Sequence, residues 1–140
     1  MSAKPFGLAV KTIIWDPDGR CLLLKRPPDK HFGNQWDLPG GKADPGETLD
    51  EAIAREGAEE TAITFTVDRF LGADEHEMEK VRVILLFFEG RWQSGDVRVR
   101  PGEHTEFTWA SRADLLTMAI SDQLRPFLER HFKADVPASE

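Results

Sequence analysis

Apolar residues recur along this chain in two rhythms. Phe6 to Trp15 (FGLAVKTIIW) and Cys21 to Lys25 (CLLLK) are rich in β-branched and large apolar residues, with Asp16-Pro17-Asp18-Gly19 between them; they read as strand, turn, strand. Thr48 to Thr61 has few breakers and sets Leu49, Ala52 and Ile53 at helical spacing, which predicts the first helix. Further strands are predicted at Ile63 to Gly72 and Lys80 to Trp92, with Asp74 to Glu79 as the hairpin tip between them. The run VRVILLFF is apolar enough to be covered on both faces. A short strand at Glu106 to Ala110 precedes two closing helices, Arg112 to Met118 and Asp122 to Phe132, with Ser111 and Ser121 as their N-cap residues. Arg26 to Gln35 and Gln93 to Glu103 carry Pro, Gly and Asn and read as loops, and Ala134 to Glu140 as a frayed tail. The order β, β, loop, α, β, β, β, α, α predicts an α/β chain with a mixed sheet flanked by helices.

Length and composition narrow this further. The chain has 140 residues, 40% of them apolar and 31% charged, so residues 1–140 form one domain with a real core. No stretch approaches the roughly 20 apolar residues of a membrane span, and Met1 to Gly7 lacks the apolar run of a signal peptide, so a soluble cytoplasmic protein is expected. The one cysteine, Cys21, reads as a small buried hydrophobe and fits a reducing compartment. A net charge of −7 argues against long DNA or RNA as a partner, because gripping a phosphate backbone needs clustered Lys and Arg. A small phosphorylated ligand remains open, since a bound cation reverses the field of an acidic pocket. Exposed strand edges would permit a homodimer.

The chemistry concentrates on the first helix. Thr48-Leu49-Asp50-Glu51 has the form of a capping box, which marks the helix start. At about 100° per residue, Leu49, Ala52, Ile53, Glu56, Glu59, Glu60 and Ile63 share one broad face, so an apolar stripe turns acidic halfway along. Glu56, Glu59 and Glu60, at i, i+3 and i+4, repel one another. Either they are the solvated side of a surface helix, or they converge on a divalent cation whose other positions go to water and substrate phosphates. The stripe favours the cation: if Leu49 and Ile53 face the core, the glutamates face a cleft. Upstream, Gly40-Gly41 permits close backbone approach, a carbonyl there can join a metal, and Glu47 can pair with Arg55 if the loop folds back.

Gly41 to Ile63, GKADPGETLDEAIAREGAEETAI, resembles the Nudix box, G-x5-E-x7-R-E-U-x-E-E-x-G-U with U apolar. Gly41, Glu47, Arg55, Glu56, Glu59, Glu60 and Ile63 stand at the required positions. Gly57 replaces an apolar residue at about 1 kcal/mol of helix stability, and Ala62 replaces a glycine where a left-handed conformation is usual. The resemblance implies a Nudix-type α/β/α sandwich with a mixed β-sheet. It also implies a metal-dependent pyrophosphohydrolase, with Mg²⁺ or Mn²⁺, that splits the phosphoanhydride of a nucleoside diphosphate linked to another group. MutT-like cleavage of oxidised nucleoside triphosphates to monophosphate and pyrophosphate is the first expectation; ADP-ribose or another nucleotide sugar is the alternative. A non-catalytic nucleotide-sensing module is the rival from another class, but it predicts erosion of the box, and none of Arg55, Glu56, Glu59 or Glu60 is eroded.

By the same resemblance Glu56, Glu59, Glu60 and the Gly40 carbonyl are the metal ligands, and Glu47 and Arg55 orient them. The proton of the attacking water goes to Glu59 or to a carboxylate ahead of Trp109, where Glu106 is preferred to Glu103. Arg26, at the end of the second strand, is expected to contact phosphate or base, with His31 and Trp36 at MutT-like spacing. Asp122 either reaches a purine edge or caps the last helix.

Overall fold

The computed structural model describes residues 4–133, so the expected tail at 134–140 lies outside the described residues. Strands β1 (Phe6–Trp15), β2 (Cys21–Lys25), β3 (Trp36–Asp37) and β4 (Gly40–Lys42) precede helix α1 (Leu49–Thr61). Then come β5 (Thr64–Glu77), β6 (Arg82–Ser94), β7 (Glu106–Ala110), α2 (Arg112–Leu115) and α3 (Arg125–Lys133). They build a mixed sheet in the order β3-β2-β1-β6-β5, with β4 paired to β1 and β7 to β2.

β1 is the centre because both of its faces are apolar. Ala9 and Ile13 enter a core with Leu85, Phe87, Leu115, Leu124, Phe127, Leu128 and Phe132, beneath α2 and α3. Val10 packs with Ala52, Ile53 and Phe88 under α1, and Ile14 with Leu22, Leu24 and Ile63. Each fully buried large aliphatic contributes about 1.5–3 kcal/mol. The expected α/β/α layering follows. β1 runs parallel to β6 along its whole length. On its other side it meets β2 only at Trp15↔Cys21, while Ala9, Val10 and Lys11 pair with β4. That fork brings the glycines of β4 against α1.

Several boundaries differ from the sequence reading. β5 continues to Glu77 through the segment expected as a hairpin tip, because its residues remain paired with β6 as far as Glu77↔Arg82. The tip is instead at 78–81, where the Met78 N–H donates to the Val81 carbonyl at 2.9 Å. α2 ends at Leu115 rather than Met118. α3 starts at Arg125 rather than Asp122. Ser111 caps α2 as expected, accepting from the Asp114 N–H at 3.1 Å. Ser121 does not cap α3 with its side chain: its carbonyl accepts from Leu124 and Arg125, and among the described residues its buried hydroxyl has no partner. β3, two residues long, and β4, Gly-Gly-Lys, are too short to show as strands in the sequence pattern. Among the described residues no helix is long and apolar enough to cross a membrane.

Candidate metal and phosphate site

α1 starts where the capping box puts it. The Thr48 hydroxyl accepts from the Glu51 N–H and the Glu51 carboxylate accepts from the Thr48 N–H, both at 3.1 Å. It ends at Ala62, which takes the left-handed conformation (φ 64°) that the resemblance assigned to a glycine. Gly57 has a structural reason: the ring of Phe65 occupies the space a Cβ would need.

Arg55 organises the acidic face. Its Nε and Nη2 grip Glu47 at 2.7 and 3.0 Å, so the loop does fold back onto the helix. Nη2 also donates to the Lys42 carbonyl at 3.1 Å. Nη1 reaches Glu56 at 3.1 Å and Glu59 at 3.4 Å. The bond from Arg55, with the Asp44 N–H behind it, holds the Glu47 carboxyl down at about 2. One guanidinium thus offsets the repulsion among neighbouring glutamates. Glu56 is pressed against Gly41, where a Cβ would lie 2.7 Å from its carboxyl carbon. Burial raises its pKa, against the pull of Arg55.

Glu60 is the buried acid, 5% exposed. The Gly40 N–H donates to its Oε1 at 2.6 Å. Gly40 itself has a positive φ of 147°, and a Cβ there would collide with the Val10 carbonyl, so only glycine brings this amide to Glu60. Burial pushes the Glu60 carboxyl up to about 8, although Lys11 and the Gly40 amide act in the other direction. The other carboxylate oxygen faces His104 Nε2 at 3.8 Å. His104 is buried, which drives it down to about 4, and among the described residues its Nδ1 has no hydrogen-bond partner. Ligand atoms of Glu60, Glu103 and His104 all lie within 4.8 Å of one another. They line a cavity of about 200 Å³ together with Arg26 and Lys30.

This donor set fits a divalent cation. Hard carboxylate oxygens crowd one spot, the most buried of them is reluctant to ionise without a positive partner, and a neutral imidazole stands beside it. Glu56 and Glu60 would hold the ion, with Glu103 beside Glu60 at the cavity.

The family model of the NUDIX domain matches residues 5–131. The chain belongs to the Nudix family. It is 29% identical over 124 residues to the CTP pyrophosphohydrolase of Escherichia coli (strain K12), which covers 87% of this chain and 89% of that protein. It is 32% identical over 111 residues to the nucleoside triphosphatase NudI of Escherichia coli O81 (strain ED1a), covering 71% and 78%. The crystal structure of the MutT protein from Methanosarcina mazei Go1 superimposes with a TM-score of 0.85 at 35% identity, over 96% of this chain and 98% of that one.

The structure joins Glu47 and Glu56 through Arg55, and Glu60 to Gly40 just ahead of the Nudix box. Glu59 shares Arg55 Nη1 with Glu56 but is more exposed, 41% at its side chain, and lies between Arg55 and Arg100, each at 3.4 Å. Glu106 is not brought to the cluster. As the first residue of β7 it sits opposite Lys25, whose ammonium is 3.5 Å from its carboxylate. Glu103, in the loop before that strand, lines the cavity beside Glu60 and His104.

Arg26 does line the cavity. His31 meets it through the backbone, accepting from Arg26 Nε at 2.6 Å, while its ring lies 4.2 Å from that of Phe32. Trp36 packs at the margin of the main core with the Lys25 ammonium 5.6 Å from its ring. Asp122 is exposed in the turn ahead of α3 and does not lie on that helix; its N–H donates to the Gln35 side chain at 3.1 Å. The sequence reading missed His104, Lys30, Lys11 and Asp37. The last two form a buried pair, and the visible signal was a lysine inside the apolar run of β1.

Proposed function

We propose that this Nudix protein is a hydrolase that uses Mg²⁺, or Mn²⁺ in its place, to split the phosphoanhydride of a nucleoside triphosphate into monophosphate and pyrophosphate. The observation that carries this reading is the cavity lined by Glu60, Glu103 and His104 together with Arg26 and Lys30. Pyrophosphate is itself anionic, so it can lie against Glu56, Glu60 and Glu103 only across a cation, while Arg26 and Lys30 meet its outer oxygens directly. When bound, the ion supplies charge neutralisation at the phosphorus attacked and at the oxygen displaced.

The chain's own residues do the rest. Arg55 and Glu47 hold the carboxylates in register, and Gly40 and Gly41 let backbone and substrate approach where a side chain would intrude. Glu103 lines the cavity, its one ion-pair partner among the described residues being Arg100 at 3.9 Å, and is the group proposed to take the proton of the attacking water. Glu59 is less suited, because two guanidinium groups already occupy its carboxylate. The names of the relatives, a CTP pyrophosphohydrolase and a nucleoside triphosphatase, support a triphosphate over a nucleotide sugar.

The test is a panel of ordinary and oxidised nucleoside triphosphates, ADP-ribose and other nucleotide sugars, assayed with Mg²⁺ and with Mn²⁺. Monophosphate and pyrophosphate are expected from triphosphates, with loss of turnover in chelator and in Glu60→Gln. Turnover that survives both would refute the mechanism; tight nucleotide binding with no product would favour a sensor.

A further inference from the structure

Lys11 breaks the pattern of the strand that carries it. Ala9 and Ile13, its neighbours of the same parity on β1, belong to the main core, and Lys11 is buried near them at 5% exposure. A desolvated ion pair at such a position is commonly no more stable than apolar residues of similar volume. Fold stability therefore does not account for it, and what the lysine holds is the better guide.

Lys11 Nζ donates to both oxygens of Asp37, each at 3.1 Å. The Leu38 N–H adds a bond to Oδ1 at 2.8 Å. Asp37, 1% exposed, is thereby fixed, and its Oδ2 accepts from Arg26 Nη1 at 3.1 Å. Arg26 is tied a second time through Nε to the His31 carbonyl. Its backbone closes the same loop: its N–H donates to Gln35 and its carbonyl accepts from Asn34, both at 3.0 Å. These bonds use Nε and Nη1 and do not use Nη2, in a residue that lines the cavity.

We propose that Lys11 and Asp37 are positioning residues that pre-order Arg26, so that its guanidinium meets a phosphate oxygen of the nucleotide without first losing rotamer freedom. The inference rests on the reading of this cavity as a polyphosphate seat. Ordering a long side chain on binding subtracts from affinity, and a tether built in during folding removes that penalty beforehand. Asp37 never touches the substrate; it acts through Arg26.

The experiment is a double-variant cycle of Asp37→Asn and Arg26→Ala, read by calorimetric binding of α,β-imido-dGTP and of imidodiphosphate in Mg²⁺, and by kcat and KM for dGTP. Asp37→Asn is expected to weaken both ligands roughly tenfold and to raise KM alike, with kcat within about threefold, the size of one charge-assisted hydrogen bond. On the Arg26→Ala background it is expected to change nothing further. Lys11→Met combined with Asp37→Leu replaces the pair by apolar volume, keeps the fold and reproduces the loss, which separates positioning from stability. Additive losses in the cycle, full affinity in the apolar double variant, or an Arg26→Ala protein that binds like wild type would each overturn the proposal. Arg26-dependent binding with the expected cycle but no hydrolysis of any nucleotide would sink the functional reading and leave this inference standing. Failure of wild type to bind either ligand would overturn both.

Discussion

Replacing Glu60 by Gln should stabilise the metal-free protein at alkaline pH, although it removes a central group of the site. Burial, partly offset by Lys11 and the Gly40 amide, moves this carboxyl from 4.5 to about 8 in the fold. At 1.36 kcal/mol per pH unit, its ionised form is disfavoured by about 5 kcal/mol as an upper bound. Water reaching the carboxylate through the cavity reduces this to about 2–3 kcal/mol. A raised carboxyl contributes stability that is complete below the unfolded pKa and is lost as pH rises through the folded value. In chelator, wild type should therefore lose stability between about pH 4.5 and 8. Gln carries no charge, and its amide oxygen can still accept from the Gly40 N–H. The two proteins should be of similar stability at pH 5, with the variant ahead by about 2–3 kcal/mol at pH 9. Urea denaturation across that range measures it. Excess Mg²⁺ should remove much of the wild-type loss and leave the variant unmoved. A variant less stable than wild type by a constant amount at every pH would refute the argument, since it would show Glu60 to be ionised at no cost in the empty site.

Glu103→Gln should lower Mg²⁺ affinity or kcat about ten- to a hundredfold, while Glu106→Gln stays near wild type; a steady-state metal titration separates them. Gly41→Ala puts a methyl 2.7 Å from the Glu56 carboxyl carbon and must displace it, so kcat should fall at least about tenfold with little change in Tm. Arg55→Lys keeps the charge but loses the forked grip on Glu47 and Glu56, and kcat should drop by about tenfold or more without a matching rise in KM. Ala62→Gly should raise stability by about 0.5–1 kcal/mol by relieving a left-handed alanine. Gly57→Ala should not gain the roughly 1 kcal/mol of helix propensity, because Phe65 fills the space; urea midpoints test both.

Local chemistry was legible where it is local in cause. The capping box fixes the start of α1 through bonds that span three residues, and the Nudix spacing puts Glu47, Arg55, Glu56 and Glu60 within reach because an α-helix and a short loop allow few other arrangements. The apolar runs of β1 and β2 likewise announced their strands with the right bounds. The left-handed exit at Ala62 could be expected even with an unfavourable residue, since the chain must turn there.

Tertiary packing decided the rest. Nothing in the spacing of Glu59 separates it from Glu60, yet one lies between two arginines at the surface and the other under Gly40, because the fork between β1 and β2 admits β4 on one side of α1 only. Glu103 and Glu106 are alike as residues; strand pairing with β2 commits one to Lys25 and leaves the other at the cavity. Lys11, Asp37 and Arg26 stand far apart along the chain, and their shared carboxylate exists only once β1, β2 and β3 are assembled. The sequence alone determined which groups are available and how the helix presents them, since those depend on neighbours a few bonds away. Which groups meet depends on contacts distant in sequence, and these are set by burying the two faces of one central strand.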